Sequence, residues 1–461
     1  MPEKTTNNSR RSFLTKFAKG VVGASLVPSI ISAADRRRNI KSLTRAVQNY
    51  SPNDQIQIAL IGAGGMGTAD ANTAITVPGV KLIAACDLYD GRLADAKKKW
   101  GNDIFTTRDY REILNRKDID AVIIGTPDHW HKDIAVAAMN AGKSVYCEKP
   151  MVHDISEGPA MVAAQNKNKV IFEVGSQGLS SLGNEKAKEL LKDGAIGKLN
   201  YAEGFWSRMS PTGAWQYPIP ADASPKTVDW ERYISNTTKR PFDATRFFRW
   251  RNYRDYGTGV SGDLFVHLFS SLHFVTGSMG PDKIQATGGL RYWKDGREVP
   301  DIMLGMFDYP ETQIHPAFNL SLRVNFVDGT GGTNYLRMVG SEGSMTVEWD
   351  KVTLFRNRDN VDANDPLTQT KNNNLAGKQY VYDRKSMVSP EKLEYTVDKD
   401  YKGAHFDHHY NMYNAMRNNG KVTEDALFGY RAAAPALLCN DSYFKNKIIQ
   451  WDPVNLNLKT T

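Results

Sequence analysis

QIQIALIGAGGMG, residues 55–67, is the stretch that decides how the first third of this chain folds. Ile56, Ile58, Ala59, Leu60 and Ile61 form an apolar run that reads as a buried strand. The run ends in a glycine turn. Gly62, Gly64 and Gly67 fill the pattern G-x-G-x-x-G, with Ala63, Gly65 and Met66 between them. The first glycine permits a tight turn, the second lets backbone approach a pyrophosphate, and the third lets helix and strand pack closely. The helix that follows offers its amino-terminal amides and dipole to phosphates. Such a pattern alone is weak. Here it sits between a strand and a helix, and a second strand-like run, VKLIAACD at 80–87, ends in Asp87. An acid about twenty residues beyond the turn binds a ribose diol and repels a 2′-phosphate, so the expected cofactor is NAD in preference to NADP.

The alternation continues outward. RLADAKKKW reads as a helix, and residues 109–150 read as helix, strand, loop, helix and strand. Strands alternating with helices imply a doubly wound parallel sheet, an α/β fold. Ligands bind such sheets beyond the carboxyl ends of the strands. Two loops fall there, TPDHWH at 126–131 and EKP at 148–150. After residue 197 the pattern changes to alternating runs such as KLNYAEGFW, NLSLRVNFV and SMTVEWDKVTLF, which read as strands of a second domain. Residues 356–376 are rich in Asn and Asp and read as a surface loop.

The net charge of +8 is confined to the start of the chain. Residues 1–50 hold ten of the 59 Lys and Arg and two of the 51 Asp and Glu, so the rest carries 49 of each. The charge is therefore no argument for nucleic-acid binding. The stretch SRRSFLTK, 9–16, precedes a weakly apolar run ending in small residues near Ala33 and Ala34. It is similar to a twin-arginine export signal. Lys19 and Pro28 interrupt the run, and no membrane span is expected in the mature protein. The twin-arginine machinery carries folded proteins, so the expected location is the periplasm. Three widely spaced cysteines, Cys86, Cys147 and Cys439, suggest neither a disulfide framework nor a zinc site.

On these motifs the chain resembles the glucose–fructose oxidoreductase, inositol dehydrogenase and MocA (Gfo/Idh/MocA) family. The shared features include GAGGMG, Asp87, TPDHWH, AGKSVYCEKPM at 141–151, GDLFVH at 262–267, MVGSEGSM at 338–345 and EDALFGYRAAAPALL at 424–438. The resemblance implies a Rossmann domain followed by an α+β domain with a large, open, mostly antiparallel sheet that covers the nicotinamide and mediates a homodimer or homotetramer. The expected organisation is a signal at 1–34, a linker or arm at 35–53, the NAD-binding domain at 54–178 and a substrate and oligomerisation domain at 179–461.

The same resemblance implies an enzyme that takes hydride from a sugar or glycoside hydroxyl. Lys149 then reaches the substrate oxygen. His267 serves as general base, since imidazole titrates near neutral pH. Asp263, four residues earlier on the same helical face, orients it or binds a neighbouring hydroxyl. Gly62, Gly64, Gly65, Met66, Gly67, Asp87, Thr126, Pro127, His131, Glu148 and Lys149 are expected at the cofactor. Gln177, Arg249, Tyr256 and His405 are candidates for the substrate. His273, His408 and His409 read as structural, and no metal site is expected. The family often has a basic residue after Gln177, where this chain has Gly178. Outside the cytoplasm no pool recycles the cofactor, so NAD is expected to stay tightly bound. Two alternatives remain open. One is a glycoside hydrolase working by transient oxidation, elimination and hydration. The other is a non-catalytic sugar binder.

Overall fold

Strands β1 (Arg36–Ile40), β2 (Ile56–Ile61), β3 (Val80–Cys86), β4 (Phe105–Thr107), β5 (Ala121–Ile124), β6 (Ser144–Glu148) and β7 (Phe172–Gly175) begin the chain of the computed structural model, which describes residues 36–40, 55–210, 213–329, 332–356 and 390–459. The signal-like segment and most of the Asn-rich segment lie outside these residues. Six of these strands form a parallel sheet in the order β4-β3-β2-β5-β6-β7. Counted from β2, this is the doubly wound order 3-2-1-4-5-6, and the strand order reverses between β2 and β5. All four residues of β5 are buried, as expected of a strand covered on both faces.

Among the described residues the second sheet has eleven strands. It comprises β1, β8 (Leu199–Ser207), β9 (Lys283–Gly289), β10 (Ile302–Tyr309), β11 (Phe318–Asn325), β12 (Asn334–Gly340), β13 (Gly343–Val347), β14 (Lys351–Arg356), β15 (Glu391–Val397), β16 (Ile449–Asp452) and β17 (Asn457–Leu458). Their order is β1-β15-β14-β13-β12-β8-β11-β10-β9-β16-β17, and only the β1–β15 and β8–β11 pairs are parallel. Part of the expected linker or arm is an edge strand, with Arg36 to Ile40 in register with Leu393 to Val397. One face of the sheet packs on helices; β10 buries Met303 and Phe307 there and exposes Leu304 and Met306 on the other face. Alternation of period two produces this division.

Three helices fill the space behind the large sheet: α1 (Leu182–Lys192), α2 (Val266–Thr276) and α3 (Ala426–Lys445). Phe269 of α2 meets Phe307 edge to face at 4.9 Å. A Cβ on Gly204 of β8 would come within 2.9 Å of Leu268, so glycine there lets α2 lie close to the sheet. The two sheets belong to one compact unit.

The helix Ala404–Asn418 joins them further. It belongs to the carboxyl-terminal part of the sequence, yet its Met412 and Tyr413 share one buried cluster with Ile58, Leu60 and Tyr146 of the parallel sheet. Arg417 also donates a 2.9 Å hydrogen bond to the carbonyl of Pro78. The 54–178 segment therefore leaves one side of its sheet to a helix encoded more than two hundred residues later. Leaving side chains such as Ile58 and Tyr146 uncovered costs about 1.5–3 kcal/mol each. A fragment comprising residues 54–178 should accordingly lack a cooperative thermal transition by circular dichroism, whereas the chain from residue 36 onward should show one. A sharp transition in the fragment would show that this helix is dispensable.

Candidate active site

The glycine turn has the geometry that its pattern requires. Gly62 has φ of +94°, and a Cβ there would lie 2.6 Å from the Gly125–Thr126 backbone, where β2 and β5 diverge. A Cβ on Gly67 would lie 2.1 Å from the Gly62 carbonyl, so the helix Gly65–Ala74 can approach the strand only with glycine at that point. Gly64 and Gly65 meet no such obstruction from the protein. Their bare backbone is free for a ligand instead. Asp87, at the end of β3, accepts hydrogen bonds from the amides of Ala63 (2.8 Å) and Tyr89 (3.0 Å). It is thereby fixed beside the turn, 3.5 Å from the Arg92 guanidinium.

A cleft of about 580 Å³ runs from this turn to the large sheet. Gly62, Gly64, Gly65, Met66, Asp87, Thr126, Pro127, Glu148 and Lys149 line it on the dinucleotide side, while Gln177, Asp263, His267 and His405 line the far end. These are groups that sequence reasoning brings together. Lys149 leaves the end of β6 and donates to both the main-chain carbonyl and the carboxylate of Asp263, each at 2.9 Å. The two side chains are 9% and 6% exposed. Arg251 Nε reaches the same carboxylate oxygen at 3.2 Å. Desolvation opposes ionisation of Asp263, yet the charges of Lys149 and Arg251 prevail and hold its carboxyl well below the usual range.

Asp263 belongs to a π-helical turn, Ser261–Phe265, that leads into α2 and so into His267. Both residues face the cleft, but Asp263 bonds Lys149 and Arg251 rather than His267. Its positioning role is directed at the lysine. The His267 ring instead stacks on Trp206 of β8, with centroids 5.0 Å apart and planes 24° apart. Its Nδ1 is buried without a hydrogen-bond partner. Burial, with the nearby Lys149 charge, pushes its pKa well below the ordinary histidine value and keeps the ring neutral.

Four expected contacts are different in the structure. Gly67 does not line the cleft; it acts by packing. His131 spans the carbonyls of Thr126 (2.9 Å) and Pro150 (2.8 Å), tying the two cofactor-side loops together without reaching the cleft. Tyr256 is wholly buried among Tyr233, Trp230 and His129. Arg249 Nε donates to the Tyr217 carbonyl, and its neighbours Trp250 and Arg251 line the cleft in its place. Sequence reasoning also missed Trp206, Arg208 and Trp349. Trp349 explains Gly178: a Cβ at that position would lie 2.5 Å from the indole. An indole thus occupies the space into which a basic side chain would extend. His273 is structural as expected, with Nε2 2.9 Å from the Tyr309 hydroxyl.

Behind the cleft lies a buried polar network. Gln177 Nε2 donates to Glu148 Oε1 (2.5 Å), Tyr146 Oη (2.9 Å) and Asp70 Oδ1 (3.3 Å). Burial pushes the Asp70 pKa up to about 8, and it raises Glu148 as well. Glu424, bonded by Ser270 Oγ at 2.9 Å, is also raised to about 8 by burial. His408 and His409 are pushed down to about 3 by the same cause. Among the described residues no group of three His, Cys, Asp or Glu side chains is arranged to hold a metal ion, and no helix is long and apolar enough to cross a membrane.

Residues 56–176 match the family model Gfo/Idh/MocA, described as an oxidoreductase family with an NAD-binding Rossmann fold. The match falls on the amino-terminal, NAD-binding Rossmann domain. Inositol 2-dehydrogenase of Salmonella typhimurium is 32% identical over 145 residues, 31% of this chain and 43% of that protein. The chain thus spans less than half the length of that relative. Glycosyl hydrolase family 109 protein 1 of a Shewanella species is 29% identical over 245 residues, 49% of this chain and 50% of that protein. A structure of levoglucosan dehydrogenase with NADH and L-sorbose superposes with a TM-score of 0.64 at 19% identity, covering 87% of this chain and all of the other. That likeness supports the two-domain fold.

The buried carboxyls and histidines make stability depend on pH in opposite senses. Asp70 and Glu424 hold protons in the folded state up to about pH 8 but lose them near pH 4 when unfolded, so stability falls as pH rises through that interval. The buried histidines act below pH 6.5, where only the unfolded chain takes up their protons. Between pH 6.5 and 8 the unfolded histidines lose their remaining protons and the raised carboxyls, Glu148 and Glu173 among them, come to set the slope, at up to about 1.4 kcal/mol per pH unit for each group. The melting temperature should therefore drop across this range, and Asp70→Asn with Glu424→Gln should flatten the drop. A melting temperature that rises from pH 6.5 to 8 would contradict this assignment.

Proposed function

We propose that the protein is an exported NAD-dependent oxidoreductase that takes hydride from a hydroxyl-bearing carbon of a sugar or glycoside. The observation that carries this reading is the convergence of Lys149, Asp263 and His267 at the end of a cleft whose other end is the glycine turn. Bound NAD supplies the hydride acceptor. The chain's own residues supply position and proton transfer. Gly62, Gly64, Gly65, Met66 and Asp87 would hold the dinucleotide. Lys149, fixed by Asp263, directs its remaining N–H at the substrate oxygen. His267, neutral and with Nδ1 turned into the protein, takes the hydroxyl proton on Nε2.

The start of the chain supports the rest of the proposal. An export route for folded proteins suits an enzyme that loads its cofactor in the cytoplasm. In the periplasm NAD would then stay bound, and each oxidation of a sugar would be matched by reduction of a second sugar, or of an acceptor protein, in the same site. The exposed face of the large sheet, with Leu304 and Met306, offers a surface for a homodimer or homotetramer. The partial likeness to a glycosyl hydrolase favours one second reading, in which oxidation is transient and a glycosidic bond is cleaved with no net redox change.

Mature protein purified without added cofactor should release stoichiometric NAD(H) on denaturation, detected by mass spectrometry. An empty protein would overturn the closed cycle. Lys149→Ala should lower kcat about 10²–10⁴-fold while the dinucleotide remains bound, the range for a positioned proton-transfer group. Normal turnover would remove the lysine from the chemistry. The low pKa of His267 gives a further expectation. The acid limb of kcat against pH should fall well below pH 6.5, and a limb at 6.5 or above would argue against this histidine as the base. Free sugar released from a glycoside without accumulation of a keto product would select the hydrolase reading.

A further inference from the structure

At the substrate end of the cleft, the inventory of charge does not balance. Lys149, Arg208 and Arg251 face it against one ionised carboxylate, that of Asp263. His267 and His405 are both shifted toward their neutral forms by burial, and Glu148 is shifted toward its protonated form by the same cause. The wall thus carries about two positive charges in excess, and the oxidised nicotinamide of bound NAD would add a third.

The two arginines are differently placed, and both have donors to spare. Arg251 spends only Nε on Asp263 and lies over the Trp250 ring at 4.1 Å. Its two terminal nitrogens make no hydrogen bond among the described residues. Arg208 follows the last residue of β8, and its amide is anchored to the Asn325 carbonyl at 3.0 Å. Among the described residues its guanidinium has no hydrogen-bond or ion-pair partner. It emerges two residues beyond Trp206, the residue that stacks on His267. The glycine turn that would receive the pyrophosphate lies at the other end of the cleft, and the arginine nearest Gly64 there is Arg92. Arg208 and Arg251 are thus not needed by the phosphates. Guanidinium groups with free donors match the paired oxygens of an oxyanion.

We propose that Arg208 and Arg251 form an oxyanion-binding subsite beside His267, and that the sugar oxidised there is an anionic one, bearing a carboxylate, sulfate or phosphate group. This inference rests on the sugar-oxidoreductase reading for the word sugar, but the subsite stands on its own geometry. The indoles of Trp206, Trp250 and Trp349 supply the apolar walls for the ring. Trp349 closes the side of Gly178, so the anion is read from the β8 side of the cleft.

The test is equilibrium binding to the NADH-loaded protein, by titration calorimetry, with matched pairs: glucose and glucuronate, galactose and galacturonate, mannose and mannuronate. Glucose 6-sulfate and glucose 6-phosphate form two further arms that distinguish the anion. At least one anionic member should bind about 10-fold or more tightly than its neutral partner, as expected for a charge-assisted hydrogen bond. Arg208→Gln should abolish that preference, and 0.5 M NaCl should reduce it, since Arg208 is exposed and open to screening. Equal or tighter binding of every neutral partner would overturn the proposal. So would a preference that survives Arg208→Gln. The same mixtures with NAD separate the two readings. Anions bound in an Arg208-dependent way but never oxidised would keep the subsite and overturn the oxidoreductase. Neutral sugars oxidised without preference would do the reverse.

Discussion

The site depends on a buried ion pair between residues 114 positions apart in sequence, Lys149 at the end of β6 and Asp263 in the π-helical turn before α2. Removing two charges from water is costly, and Coulomb attraction repays the cost only when the remaining donors and acceptors are satisfied. Here they are. The lysine bonds the carbonyl of Asp263 as well as its carboxylate, and Arg251 takes the same oxygen. Breaking the pair would leave a buried charge on one side of the cleft. The pair therefore fixes the register of one sheet against the other at the point where chemistry is proposed. It also accounts for the π turn in structural terms, since that turn presents main-chain carbonyl and side chain of Asp263 to one ammonium group.

Much of this was legible in the sequence because the signals were local. The doubly wound parallel sheet follows from the alternation of apolar runs and helices. The tasks of Gly62 and Gly67 follow from their spacing and reappear as distances of 2.6 and 2.1 Å. Lys149, Asp263 and His267 stand in short motifs and meet in the cleft. What was illegible depends on partners from remote segments. Nothing near Arg249 indicates that it turns to Tyr217 while Arg251 faces the cleft. Nothing near Tyr256 marks it for an aromatic cluster rather than a sugar. Asp263 and His267 have the spacing of a helical pair, but only the approach of Lys149 from the other domain decides whom the carboxylate serves. Strand β1 has no alternation of its own and is defined by pairing with β15.

Gly178 and Trp349 illustrate how a departure from a family pattern is resolved in space. Viewed along the chain, a missing basic residue is a loss. Viewed across the cleft, the same position is the floor on which an indole from the turn between β13 and β14 rests, 2.5 Å from where a Cβ would be. The two residues are coupled by volume. A larger residue at 178 and the indole at 349 are mutually exclusive in this arrangement, and the polarity of that wall changes with them.

The helix Ala404–Asn418 has a consequence in time as well as in space. It seals the parallel sheet through Met412 and Tyr413, although the strands it covers emerge from the ribosome far earlier. The dinucleotide-binding half is thus unfinished until almost the whole polypeptide has been made. A nascent chain cannot acquire its cofactor grip piecemeal, amino-terminal half first. Synthesis, folding and cofactor capture are obliged to occur in that order, with translation nearly complete before the glycine turn has a finished domain behind it.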